Sequence, residues 1–329
     1  MRVSGVLSQE GGRMSSGGVG PGARLRRTIA RVVLAPIVPA MAALPVFVRV
    51  MPESWSVRLG RLFARLSRSG RRRDILARRR AVLGCAGDED AFWSAHLDHV
   101  GRTIIESFAL DVMSDAEIVE RIDITGEDHL RAVLDRGHGA ILFLNHLGSP
   151  GAIVGGLGLR GYDLTIAGNR MEAMVLGERV TLHYAEAEVQ RLFRRGRVHR
   201  ALLGDNLPRS AAEVLDRNGC FAMFIDFPVV RKHNQQVAFG SAYMNVNLGP
   251  ALLALRHEAS VLCVDCLRTG ENRHRLVIHP PLGRASGDRR DAALQMMEAS
   301  LQSLVRSLGA HPDQWWPWDW ADITAGVDA

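Results

Sequence analysis

With 329 residues the chain is long enough for one large core or two modest ones, since single cores stop growing near about 250 to 300 residues, and it reads as one main domain with an N-terminal appendage. The formal charge of +6 comes from arginine, Lys232 being the only lysine, and charge alone does not choose among acidic lipid headgroups, carrier proteins and nucleic acid. Cys85, Cys220, Cys263 and Cys266 are too few and too scattered for a disulfide framework, so a reducing, cytosol-facing location is the default.

Residues 1–22 are rich in Gly and Ser without apolar periodicity and read as a disordered tail. The uncharged run from Val32 to Val48 has arginines at both ends and contains Pro36, Pro39 and Pro45. It is slightly shorter than the roughly 20 residues that span a bilayer, so 23–52 reads as a helix or broken helix lying in the membrane interface; a buried helix, a true span and a cleaved signal are the alternatives. Leu59, Leu62, Phe63 and Leu66 follow helical spacing, and Ala91 to Phe108 is a second amphipathic stretch. Between them, Arg71-Arg72-Arg73 and Arg78-Arg79-Arg80 form a solvated face, an anionic-lipid surface or a nucleic-acid surface, the last weakened because no interleaved aromatics or nucleic-acid module accompany them.

From Gly139 onward strand and helix signals alternate. Strands are expected at Ala140 to Leu144, Asp163 to Ala167, Cys220 to Ile225, Ser260 to Leu267 and Arg275 to Ile278, with helices at Ala185 to Phe193, Ser210 to Leu215 and Arg290 to Leu308. The implied fold class is α/β, a central mixed sheet covered by helices with an N-terminal helical region, the main domain spanning 53–325. Cys263 and Cys266 sit three apart on one strand and so point to opposite faces, which argues against a shared metal; no metal site is expected.

The segment from Gly139 to Gly151 concentrates the chemistry. An apolar strand ends in Asn145 and His146, and ligands of open α/β sheets bind at the carboxyl ends of strands. Ser149 and Pro150 have the character of a helix N-cap and first helical residue, so helix N–H groups would face the same space as His146. That makes His146 a candidate general base, with Asn145, Gly148 and Ser149 as candidate substrate-binding residues. Gly156-x-Gly158-x-x-Gly161 matches a dinucleotide fingerprint but has its helix before and its strand after, the reverse of what that site needs. A serine hydrolase built on Ser149 is a rival, weakened by Leu147 where a nucleophile elbow carries glycine.

Gly139-Ala-Ile-Leu-Phe-Leu-Asn-His-Leu-Gly resembles the strand and H-F-G segment of the bacterial lipid A lauroyl/myristoyl acyltransferases, a branch of the lysophospholipid acyltransferase superfamily that includes phosphatidylinositol mannoside acyltransferases. The likeness continues in order through Leu215 to Asp226, Val237-Ala-Phe-Gly240, Leu248-Gly-Pro-Ala to Arg256, and His311-Pro-Asp-Gln-Trp315, covering roughly Ala91 to Trp320. The resemblance implies an acyl-CoA- or acyl-carrier-protein-dependent acyltransferase at the cytoplasmic face of the cell membrane, peripheral or monotopic, with a carrier protein or CoA thioester as donor, no further cofactor and no nucleic-acid partner. It also implies a histidine base paired with a carboxylate five residues later.

At that position this chain has Gly151. Either Asp226, at the end of another strand, replaces the acid, or the acceptor is an amine needing less activation, or the fold persists as a catalytically degenerate lipid- or carrier-binding protein. By the same resemblance Arg170 and one of Arg194 or Arg195 can contact a donor phosphate or an anionic acceptor, as a planar guanidinium suits. The tryptophans 315, 316, 318 and 320 read as a packed lid or as a membrane-interface contact.

Overall fold

A computed structural model describes residues 52–326, apart from 69, 85–86, 169–192, 197, 203–205, 228–233 and 284–285. The tail at 1–22, nearly all of the interface run at 23–52, most of the helix expected at 185–193, and Arg170 lie outside the described residues.

Three helices open the described chain: α1 Glu53–Arg68, α2 Arg72–Leu83 and α3 Glu89–Val112. Helices α1 and α3 touch backbone to backbone at Gly60 and Gly101, where a β-carbon on Gly60 would lie 2.3 Å from the Gly101 carbonyl oxygen. The two arginine triplets run from the N-cap of α2, Arg71, into the helix and are only partly a solvated face. Arg79 is buried over the Phe92 ring, Arg78 donates to the Trp318 carbonyl, and Arg80 pairs with Glu89. The short helix α4 Asp115–Glu120 starts with a reciprocal Ser114/Glu117 capping box.

Then comes the sheet: β1 Ile122–Thr125, α5 Glu127–Leu134, β2 Ala140–Leu144, α6 Pro150–Ile153, β3 Leu164–Gly168, β4 His199–Leu202, α7 Leu207–Asp216 and β5 Cys220–Phe224. A hairpin of β6 Asn234–Phe239 and β7 Ala242–Asn247 follows, then α8 Gly249–Arg256, β8 Ser260–Gly270, β9 Arg273–Ile278, the long α9 Arg289–Ala310 and a last short strand, β10 Ile323–Ala325. Seven strands form one mixed sheet in the order β1-β9-β8-β2-β5-β3-β4, in which β8 and β9 are antiparallel and the other neighbours parallel. Strands β6, β7 and β10 make a separate antiparallel sheet.

Pleat alternation divides the core into two layers. Ile141 and Phe143 of β2 join Phe221, Val261 and Cys263 on one face, covered by Val214 of α7 and Met297, Leu301 and Leu304 of α9. Leu142 and Leu144 join Ala222, Leu262 and Cys266 on the other, covered by Ile118, Leu130 and Val133. Both faces are thus apolar, as the continuous apolar spelling of β2 requires, and Cys263 and Cys266 fall in different layers. Each fully buried side chain such as Phe143 contributes about 1.5–3 kcal/mol.

The expected strands are present. Five others, β1, β4, β6, β7 and β10, lack a distinctive spelling: β1 is Ile-Asp-Ile-Thr and β6 begins Asn-Gln-Gln. They are made strands by their neighbours' unpaired backbone groups rather than by apolar runs. Among the described residues, no helix is long and apolar enough to cross a membrane.

Candidate active site

Strand β2 pairs in parallel with β5 so that Leu144 stands opposite Phe224. Two residues beyond each strand end, the same register brings His146 and Asp226 together. Nδ1 of His146 lies 2.7 Å from Oδ1 of Asp226, and the His146 backbone N–H donates to Oδ2 at 2.7 Å. The Trp315 indole N–H donates to the same Oδ2 at 2.9 Å. Asp226 is fully buried, whereas the His146 side chain keeps 20% of its surface. The carboxylate as acceptor assigns the proton to Nδ1 and leaves the Nε2 lone pair free. Around the ring stand Phe224, stacked at 4.3 Å, Phe227 at 6.1 Å and Trp320, edge-on at 6.1 Å. The opening onto His146 is therefore aromatic, and Phe227 is one of few large apolar side chains exposed to solvent among the described residues.

On its other side β2 pairs with β8 so that Leu144 stands opposite Val264, and one residue on, Asn145 meets Asp265. The Asn145 amide donates to Asp265 at 2.6 Å and its oxygen accepts from Leu147 N–H at 3.1 Å. Asn145 is thus engaged inside the protein at both ends of its amide. Consecutive residues of one strand exit reach two carboxylates, one on each neighbouring strand.

The turn after His146 is tied down by its neighbours. Gly148 N–H donates to the Gln314 carbonyl, Trp316 N–H donates to the His146 carbonyl, and Leu147 forms a bridge with Trp315. Gly148 has φ +69°, and a β-carbon there would lie 2.1 Å from the Cys266 carbonyl oxygen, so this position admits only glycine. Ser149 is buried and precedes α6, but its side chain makes no capping bond, and α6 passes at once into a π-helical turn at Val154–Gly158. Gly151, where the resemblance expects an acid, lies within α6. Arg195 contacts Asp115 and the Met113 carbonyl, and Arg194 is exposed.

The tryptophan cluster divides in two. Trp315 and Trp318 are fully buried, with ring centroids 4.7 Å apart, while Trp316 and Trp320 stay partly exposed beside His146 and α1.

One cluster has no counterpart in the sequence reading. His99, Thr103 and Glu106 line one side of α3 at i, i+4 and i+7 and face Arg268 of β8. Arg268 binds the Glu106 carboxylate and donates to Thr103, while His99 Nε2 meets the Gly148 carbonyl at 3.2 Å. Burial and the Arg268 charge hold His99 well below the usual histidine range, so Nε2 donates as a neutral ring. Burial opposes the charge on Glu106, yet His274 and Arg268 outweigh it and bring it down to about 2. Burial likewise opposes charge on His274, and its contacts with Cys266 and Glu106 raise it to about 9. The polar i, i+4, i+7 stripe on an otherwise amphipathic helix was the available signal for this group.

The fold is a mixed, mainly parallel α/β sheet with a carboxylate-held histidine at the exit of a central strand, ringed by aromatic side chains. The profile of the bacterial lipid A biosynthesis acyltransferase family matches residues 30–318, and the chain belongs to that family of lipid acyltransferases. It is 29% identical over 279 residues to a phosphatidylinositol mannoside acyltransferase of Mycobacterium tuberculosis (strain CDC 1551 / Oshkosh), covering 82% of this chain and 83% of the relative. Against a protein of the same name from Mycolicibacterium smegmatis the identity is 25% over 284 residues, covering 82% and 85%.

Proposed function

We propose that this chain transfers an acyl group from a CoA or acyl-carrier-protein thioester to a hydroxyl of a lipid or glycolipid acceptor, with His146 as general base and Asp226 as its orienting acid. Nε2 takes the proton of the attacking hydroxyl, the new ester C–O bond forms, the C–S bond breaks, and the departing thiolate takes that proton from the imidazolium. No cofactor beyond the donor enters this balance. The observation that carries the reading is the 2.7 Å Nδ1 contact with a buried carboxylate that leaves Nε2 free at an aromatic opening. Such a pair is worth about 10²- to 10⁴-fold in general acid–base catalysis.

The relatives' names put phosphatidylinositol mannosides first among acceptors to try, with lysophospholipids, lipid A precursors and amines after them. A membrane surface as working place is supported by α1, which exposes Trp55 and Leu62 beside the exposed Arg58 and Arg65, an apolar and basic face suited to anionic headgroups at a cytoplasmic leaflet.

The test incubates the protein with acyl-CoA and acyl-carrier donors and an acceptor panel and follows products by mass spectrometry. Transfer that disappears in His146→Ala is expected; full transfer by that variant removes His146 as base. Ligand retention with no turnover in either protein would establish a binding protein instead.

A further inference from the structure

Trp315 is placed to do more than fill the core. Its indole N–H reaches Oδ2 of Asp226 at 2.9 Å, on the oxygen that also accepts the His146 backbone N–H, while Oδ1 is left for the His146 ring. A carboxylate rotates about its last torsion unless both oxygens are held. The backbone donor belongs to the very residue being oriented, so the fixed external reference is the indole. Trp315 is itself packed on every side: it is fully buried, lies 5.4 Å from the Phe239 ring and edge-on to Trp318, and its backbone bridges Leu147. The ring contacts of His146 are otherwise Phe224, Phe227 and Trp320, so Asp226 is the one ionisable group hydrogen-bonded to that ring among the described residues.

We propose that Trp315 is a positioning residue for the acyl-transfer reaction: its N–H fixes the Asp226 carboxylate so that Oδ1 meets Nδ1 of His146 and Nε2 faces the acceptor. The inference rests on His146 being the base. By analogy with the outer-shell donors that orient metal-bound histidines, the expected effect is about 10- to 100-fold in activity. It acts through orientation, so it changes the rate of the chemical step and leaves substrate binding alone.

The test replaces Trp315 by 3-benzothienylalanine, which keeps the bicyclic shape and exchanges N–H for sulfur, and in parallel by Phe. Transfer kinetics are measured in the otherwise native chain and in Asp226→Ala. In the native chain kcat falls about 10- to 100-fold while KM changes less than about threefold. With Asp226→Ala the same replacement changes kcat by less than about twofold, because the group it acts on is gone. The downfield Nδ1 proton of His146 in the NMR spectrum broadens or moves in the benzothienylalanine protein, a readout that a purely packing role would not alter. An unchanged kcat in the folded benzothienylalanine protein overturns the proposal, as does an equal loss in the Asp226→Ala background. Failure of the underlying reading shows separately, as transfer that persists in His146→Ala.

Discussion

Two histidine–aspartate pairs flank the exit of β2, and they serve different ends. His146 meets Asp226 on the β5 side at 2.7 Å, and His279 meets Asp265 on the β8 side at 2.8 Å. Distance does not separate them, and neither does exposure, since the two rings keep 20% and 26% of their surface. What separates them is the carboxylate's other work. Asp226 takes the backbone and the ring of one residue plus an indole, so its bonding fixes one imidazole. Asp265 takes Asn145 from the β2 exit, Ser307 from α9 and His279 after β9, so it ties three elements together. A buried carboxylate thus aims a neighbouring imidazole only where its remaining bonds serve that same ring, which is why the proposed base is His146 rather than His279.

The largest test of that contrast is His146→Ala against His279→Ala. The former should cost about 10³-fold or more in transfer rate, the latter less than about threefold, measured as kcat on folded protein. A comparable loss in both would erase the distinction. Asp226→Asn should lower kcat by about 10²- to 10⁴-fold with little change in melting temperature, since an amide in its place favours the wrong imidazole tautomer. Asp265→Ala should do the opposite, costing about 3 kcal/mol in denaturant unfolding because it leaves the Asn145, Ser307 and His279 groups without their acceptor. Stability unaltered by Asp265→Ala would show that the three ties are dispensable.

The smallest expected effect concerns pH. His274, raised to about 9, contributes stability that is complete below about pH 6.5 and lost as the pH rises through 9. His96, whose burial brings it down to about 4, works in the other direction: the unfolded chain binds its proton first, so stability falls as the pH drops from about 6.5 to 4. Glu106, at about 2, adds a loss as the pH falls below about 4.5. Unfolding midpoints between pH 4 and 9 should therefore peak near pH 6.5, and His274→Gln should flatten the alkaline side. A midpoint that rises steadily to pH 9 would contradict the cluster's charge assignment.

Much of this arrangement was legible as text. The run Ala-Ile-Leu-Phe-Leu followed by Asn-His marks a buried strand with its chemistry at the exit, and Cys-Phe-Ala-Met-Phe-Ile-Asp marks another. Strand β6, with its three polar residues at the start, was not legible, because its conformation is set by pairing with β7 and by packing under α9 rather than by its own preferences. The Glu106–Arg268 pair was hidden for a similar reason: 162 residues separate two charges that are stable indoors only in each other's company.

By itself the sequence determined the alternation of strand and helix, the apolar interior of the sheet, and a histidine and an aspartate each just past a buried strand. It did not determine which carboxylate the histidine would meet. Asp226 lies just past the end of β5 and Asp265 within β8, both on strands that neighbour β2, and only the parallel registers, Leu144 with Phe224 and Leu144 with Val264, assign one to His146 and the other to Asn145. Registers are set by the packing of whole faces, because a slip of one residue would turn every apolar side chain of β2 toward the wrong layer. The sequence could name Asp226 as a candidate, but its pairing with His146 is a consequence of that global fit.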